Sequence, residues 1–209
     1  KIISTENGKW VKFRYKNNVD LFVPENYTIK TQRKAILTVK MLETNPDAVE
    51  VNENNPLPFD YKPEDITEVP GYTIKNKTIM LRENAAFKFY EMAIDAENEG
   101  ISILLAEGYK SSRELARDYF ENIEIYENEN YFPYRVDKPA ISPVSTGLIL
   151  DITSKETNYK CDQEFLYTKA YRWLIENCKK YGFFPAGGSE NVRDFKPYRF
   201  RFYNDINNC

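Results

Sequence analysis

Two cations stand three positions apart in the stretch FKPYRFRFY, residues 195–203: Lys196 and Arg199. A carboxylate and an imidazole at that spacing could take a proton and hold a metal ion. An ammonium and a guanidinium offer only donors, with no lone pair for a cation. The other residues with chemical potential are Asp151, in SPVSTGLILDI, and Lys110, which follows Tyr109 in EGYKSS. The sequence contains no histidine at all. Histidine is the commonest general base and the usual catalytic-zinc ligand, so Ser-His and Cys-His nucleophiles and His-ligated zinc are excluded. Without a base in reach, Ser142, Ser145 and Thr146 read as turn or cap hydroxyls rather than nucleophiles.

The chain that positions these residues has 209 amino acids, enough for one good-sized core or for a main domain with an appendage. Its 42% hydrophobic and 29% charged residues place it in the ordinary globular range. The net charge of −3 and the lack of a concentrated basic run exclude nucleic acid as the expected partner. No stretch of 18 apolar residues is present, so no membrane span is expected. The chain opens KIISTENGKW without an initiator Met, which is compatible with an export signal or anchor upstream. Cys161, Cys178 and Cys209 are odd in number and form no C-x-x-C pair, which argues against a zinc ribbon. Cys178 reads as a small core residue, and nothing in the spacing supports a Cys161–Cys178 disulfide.

Residues 9–23 predict a hairpin around Asn17-Asn18, with Val11, Phe13 and Tyr15 on one face and Val19, Leu21 and Val23 mirroring them. Residues 31–43 predict a helix capped by Thr31. The Pro-, Asn- and Asp-rich segment 45–71 reads as an irregular wrap, and the expected domains are an appendage, 1–48, and a main domain, 49–209. Beyond Leu81 the pattern predicts a helix to about Gly100 with Ala85, Ala86, Phe89, Ala93 and Ala96 on one stripe. It then predicts a strand at 101–107, a helix at 111–126 capped by Ser111 or Ser112, and a strand at 146–153. A helix at 161–183 capped by Asp162, with Trp173 on its apolar side, and a strand at 198–203 complete the order. Helices around a few strands with hairpin-like returns argue α+β.

Five stretches, in order, carry a family resemblance: PLPFDYKPEDI (56–66), ENEGISI leading into EGYKSS (97–112), SPVSTGLILDI (142–152), YRWLIENCKKYGF (171–183) and FKPYRFRFY (195–203). Together, over residues from about 51 to 204, they resemble the VanY-type D-alanyl-D-alanine carboxypeptidases. These are zinc peptidases of bacterial cell-wall peptides, sharing a core with lysostaphin-type and hedgehog domains. The resemblance implies a small antiparallel sheet flanked by helices, preceded here by the hairpin-helix appendage.

The same resemblance assigns roles position by position, and most have changed. The first zinc-ligand histidine falls on Val144, the ligand aspartate on Asp151, and the second ligand histidine on Arg199. The general-base glutamate falls on Lys196. The substrate-steadying arginine falls on Lys110 and a following glutamine on Leu115. A catalytic zinc needs about three protein ligands, and of these positions one retains a donor. A lysine charge at about 4 Å opposes a cation by roughly 4 kcal/mol per unit charge at an effective dielectric of 20. The expectations are therefore no zinc, no catalytic residue at Lys196 or Lys110, and an Asp151–Arg199 ion pair, with or without Lys196 as a third member, in the metal's place. A sharper version makes Lys196, Arg199 and Lys110 an anion site for a peptide carboxylate. The expected groove is Tyr109, Lys110, Ser142, Asp151, Lys196, Tyr198 and Arg199.

Three functions remain open on this reading. The leading one is an inactive relative that binds a peptidoglycan stem peptide or a cell-envelope protein. The others are a structural scaffold of the envelope and a carboxypeptidase with a rebuilt site. An extracytoplasmic location is implied by the resemblance alone.

Overall fold

The computed structural model describes residues 2–5, 8–14, 20–75, 77–125, 137–188 and 195–204. The turn at Asn17-Asn18, Tyr15, Val19 and Cys209 lie outside them. The chain divides into two compact units, Lys1–Pro58 and Phe59–Cys209.

In the first unit, β1 (Ile2–Thr5), β2 (Gly8–Arg14) and β3 (Asp20–Pro24) form an antiparallel sheet in that order. The expected hairpin is β2–β3, in a register that sets Val11 opposite Val23 and Phe13 opposite Leu21. Strand β1 was not anticipated; at four residues it has too little pattern to announce itself. Helix α1 (Glu25–Thr44) starts directly after Pro24, so Thr31 lies inside the helix and does not cap it. Pairing with β2 ends at Pro24, and the helix follows with no connecting residue. Ala35, Thr38 and Leu42 are buried at helical spacing.

In the second unit, β4 (Ile66–Glu68) and β5 (Met80–Arg82) form an antiparallel pair. Part of the segment read as irregular is therefore strand. Three residues are too few to show an alternation, and the pairing is closed by Arg82 on Asp65 at 2.8 Å. Helix α2 (Glu83–Asn98) buries Ala85, Ala86, Phe89, Met92, Ala93 and Ala96, which is the expected stripe with Met92 added. It ends before Gly100, whose φ of 76° lies in the left-handed region that glycine reaches without strain.

Strands β6 (Leu104–Glu107), β7 (Ile149–Thr153), β8 (Phe183–Pro185) and β9 (Arg199–Phe202) make a four-stranded antiparallel sheet ordered β6-β7-β9-β8. Its apolar face carries Leu105, Leu150, Ile152, Phe183 and Phe200 against Phe89, Met92, Phe165 and Leu174. All five residues of β7 are buried, so both faces of this central strand are covered.

Helix α3 (Ser112–Ile125) opens with a capping box. Ser111 Oγ accepts from the Glu114 amide at 3.2 Å, and Glu114 Oε2 accepts from the Ser111 amide at 2.8 Å. Ser111→Ala is expected to cost about 1 kcal/mol, read as a lower urea midpoint; an unchanged midpoint would remove the cap from the account.

The single helix expected over 161–183 is three pieces: a 3-10 turn at Gln163–Tyr167, α4 (Lys169–Asn177), and a 3-10 turn at Cys178–Tyr181. Polar side chains restart the backbone. Asp162 caps the first piece, and Thr168 Oγ1 accepts from the Tyr171 amide at 3.0 Å to begin α4. The Glu156 carboxylate accepts from the Lys169 and Ala170 amides at 3.0 and 3.1 Å, where a helix N-terminus favours negative charge. Trp173 and Cys178 lie in the core, as the sequence predicts. Cys161 and Cys178 are free thiols.

Candidate functional site

The register of the four-stranded sheet aligns three charged residues across three strands. Asp151 on β7 stands opposite Glu107 on β6, after a register shift in β6, and opposite Arg199 on β9. Cross-strand neighbours on one face interact directly, and here the contact is an ion pair. Arg199 Nε donates to Asp151 Oδ1 at 2.8 Å, and Nη2 donates to Oδ2 at 2.9 Å. The expected pair is therefore present, with Asp151 5% and Arg199 8% exposed.

The third member is not Lys196 but Asp137. Arg199 Nη1 donates to Asp137 Oδ1 at 3.0 Å, and Nη2 donates to Asp137 Oδ2 at 2.9 Å. Both edges of the guanidinium fork are thus occupied by carboxylates, the geometry in which arginine binds them best. Asp137 lies just ahead of the turn at 139–141, which leads into the 3-10 segment Pro143–Thr146. That turn is tied to the start of α3 by the Ala140 amide, which donates to Ser112 Oγ at 3.2 Å. Ser142 caps the 3-10 segment by accepting from the Val144 amide at 3.2 Å.

Burial alone would raise the Asp137 carboxyl, but the charge and hydrogen bonds of Arg199, then Lys196 and Ser142, outweigh it and hold it at about 2. Burial opposes the charge of Arg199 too, and the two aspartates more than restore it. A depressed acid contributes stability above its unfolded pKa and loses it as pH falls through the folded one. The Asp137 contribution, about 2 kcal/mol, is therefore complete above roughly pH 5 and lost between about pH 4 and 2. Urea unfolding at pH 6 and pH 3 should lose about half of it in the native protein, and less in Asp137→Asn. Equal losses in the two proteins would refute the assignment.

Lys110 is held elsewhere. Its Nζ lies 2.9 Å from Glu107 Oε2 and 3.2 Å from Asp118 Oδ2, and Lys77 reaches the other Glu107 oxygen at 3.3 Å. Burial works against the Lys110 ammonium, yet Glu107 and Asp118 outweigh it and raise its pKa. Lys196 differs. Burial first, and the neighbouring Arg199 charge second, push its pKa down, against Asp137, Asp151 and Glu107. Among the described residues its side chain makes no hydrogen bond or ion pair. Its backbone is fixed: its amide donates to Gly187 O at 2.8 Å, and a Cβ on Gly187 would sit 1.8 Å from the Lys196 carbonyl oxygen. Gly187 is thus a close-approach glycine.

Around this centre, Tyr198 is half-buried against the core, and burial followed by the Asp151 charge raises its pKa. Burial and the nearby carboxylates of Asp151 and Glu107 push the Cys161 thiol up to about 12, far from a reactive thiolate. Tyr109 donates from its hydroxyl to the Tyr61 carbonyl at 3.4 Å, and Leu115 is buried.

Two expectations need correcting. Asp151 is not shared with Lys196; the carboxylate of Asp137 takes that place. Nor do Lys110 and Arg199 supply surplus positive charge, since each is matched by carboxylates within about 3.2 Å. Asp137 carried no spacing signal in its run YRVDKPA, and Glu107 stood unnoticed at the head of EGYKSS.

The zinc implied by the resemblance does not fit these residues. Both Asp151 oxygens are engaged by Arg199, Val144 is a buried side chain without a donor, and Arg199 presents only N–H groups. Among the described residues no three His, Cys, Asp or Glu side chains cluster to hold a metal.

The VanY family model, described as D-alanyl-D-alanine carboxypeptidase, matches residues 78–203. The putative carboxypeptidase YodJ of Bacillus subtilis (strain 168) is 27% identical over 179 residues, covering 80% of this chain. The chain spans 65% of the length of that curated relative. Among solved structures, the LD-carboxypeptidase LdcB, whose structure concerns peptidoglycan recognition, superposes with a TM-score of 0.64 at 24% identity. That match covers 73% of this chain and 74% of LdcB. VanYB in complex with D-alanine-D-alanine superposes with a TM-score of 0.58 at 20% identity, over 77% of this chain and 87% of VanYB. At such identities the structures speak for the fold, and the fold agrees with the family match. The ordered sequence stretches, the β6-β7-β9-β8 sheet and a match over more than half of the residues converge, and the chain belongs to the VanY family of D-alanyl-D-alanine carboxypeptidases.

Proposed function

We propose that this chain is a non-hydrolysing member of the family that binds a cell-wall stem peptide, or an envelope protein presenting similar chemistry, through the groove around Asp151 and Arg199. The observation that carries the reading is the occupation of the Arg199 guanidinium by two carboxylates, one of them Asp151, at positions the resemblance assigns to metal ligands. With a guanidinium at one ligand position, a valine at another and an ammonium at that of the base, no zinc-bound water can be generated and no base takes its proton. The relatives indicate the class of ligand: VanYB was solved with D-alanine-D-alanine, and LdcB in connection with peptidoglycan recognition. Action outside the cytoplasm follows from the same kinship and belongs to the proposal.

The test is metal content after equilibration with zinc, D-alanine release from a D-Ala-D-Ala-terminated stem peptide, and calorimetric binding of that peptide. Sub-stoichiometric zinc, no release and measurable binding are expected. Zinc-dependent release of D-alanine would replace the reading with that of a rebuilt peptidase. Neither release nor binding would leave a scaffold. That second reading draws support from the pairing of Lys110 and Arg199 with carboxylates of this chain itself.

A further inference from the structure

We propose that the outer edge of the Arg199 guanidinium is a carboxylate-binding site whose resident occupant is Asp137, a self-ligand that an incoming ligand's carboxylate displaces. The inference rests on the peptide-binding reading for the identity of the ligand, but the site itself follows from the geometry. Arg199 has two edges with different tasks. The Nε–Nη2 edge is given to Asp151, a neighbour fixed by strand register and almost wholly buried. The Nη1–Nη2 edge is given to Asp137, which lies in irregular chain just ahead of the turn at 139–141 and not in the sheet.

Exposure separates the two aspartates: the Asp151 side chain is 7% exposed, the Asp137 side chain 21%. Asp137 thus meets solvent on one side while presenting two parallel oxygens to the fork. A peptide's terminal carboxylate has the same shape, charge and bidentate geometry. Exchanging one carboxylate for the other leaves no buried charge unpaired, which is the usual obstacle to opening such a pair. Lys196, whose side chain makes no hydrogen bond or ion pair among the described residues, adds a second positive charge whose field reaches Asp137. The self-ligand lowers the apparent affinity for an outside carboxylate by the fraction of time it vacates the edge.

The experiment compares the native protein with Asp137→Asn and Asp137→Ala, using sodium acetate and a D-Ala-D-Ala-terminated stem peptide as probes. Asp137→Asn keeps the side-chain shape and removes its charge, and should bind the peptide about tenfold tighter or more. Acetate should raise the melting temperature of Asp137→Ala and leave the native protein unchanged. If native protein and Asp137→Asn bind peptide equally and acetate has no effect on either variant, the site is refuted while the peptide reading stands. If acetate stabilises the variants but no protein binds peptide, the site stands and the peptide reading falls. Should Asp137→Ala fail to fold without acetate, acetate titration of Asp137→Asn decides.

Discussion

Replacing Arg199 by Met is expected to destabilise the second unit by about 3–5 kcal/mol, the largest loss foreseen for a single substitution in the site. The cost does not come from the net worth of the ion pairs. Arg199 satisfies Asp151 and Asp137 together through four hydrogen bonds of 2.8–3.0 Å. Its removal leaves a 5% exposed carboxylate without its charge partner, and a buried uncompensated charge is far more expensive than a pair is profitable. The corollary separates this account from simple loss of packing. Adding Asp151→Leu to Arg199→Met removes the stranded charge and should recover a substantial part of the stability. Urea unfolding of the single and double variants reads the difference. A double variant no more stable than the single one would show that side-chain volume, and not charge, was at stake.

A triple variant, Val144→His, Lys196→Glu and Arg199→His, is expected to bind zinc stoichiometrically, and the native chain is expected not to. Each change answers one physical objection. The valine lacks a lone pair, the ammonium repels a cation, and the guanidinium both fails to ligate and occupies Asp151. With the three replaced, Asp151 is released and the donor set becomes two imidazoles and a carboxylate, a competent open site for zinc. Binding at about micromolar affinity or better, roughly 8 kcal/mol or more, should appear in metal analysis and calorimetry. The backbone is already suited to the change, because residues 151 and 199 are in register on paired strands and Val144 is buried in the 3-10 segment just before β7. If the triple variant folds and excludes zinc, the alignment of Val144 and Arg199 with the ligand positions is wrong.

Elements with strong periodicity were legible before any coordinates. Helix α2 showed its stripe because five apolar residues, Ala85, Ala86, Phe89, Ala93 and Ala96, recur on one face, and the β2–β3 hairpin showed its alternation. Short pieces were not. Strands β4 and β8 have three residues each, and what makes them strands is the neighbour they pair with. The continuous helix read into 161–183 failed because Asp162, Thr168 and Glu156 offer the backbone amides alternative acceptors, a competition that apolar spacing does not register.

Within the site the division is sharper. By itself the sequence determined that there is no imidazole and that the chain carries an ordered set of VanY-like stretches, whose resemblance to the family implied a pairing of Asp151 with Arg199. Those are facts of residue type and order. Only the tertiary structure decided where each charge goes: Asp137 on the second edge of Arg199, Glu107 and Asp118 on Lys110, and no hydrogen bond or ion pair for Lys196 among the described residues. The physical reason is that a charge is satisfied by whatever opposite charge lies within about 4 Å once water is removed. That distance is set by sheet register and loop path, and separation along the chain says nothing of it: Asp137 lies 62 residues from the arginine it holds.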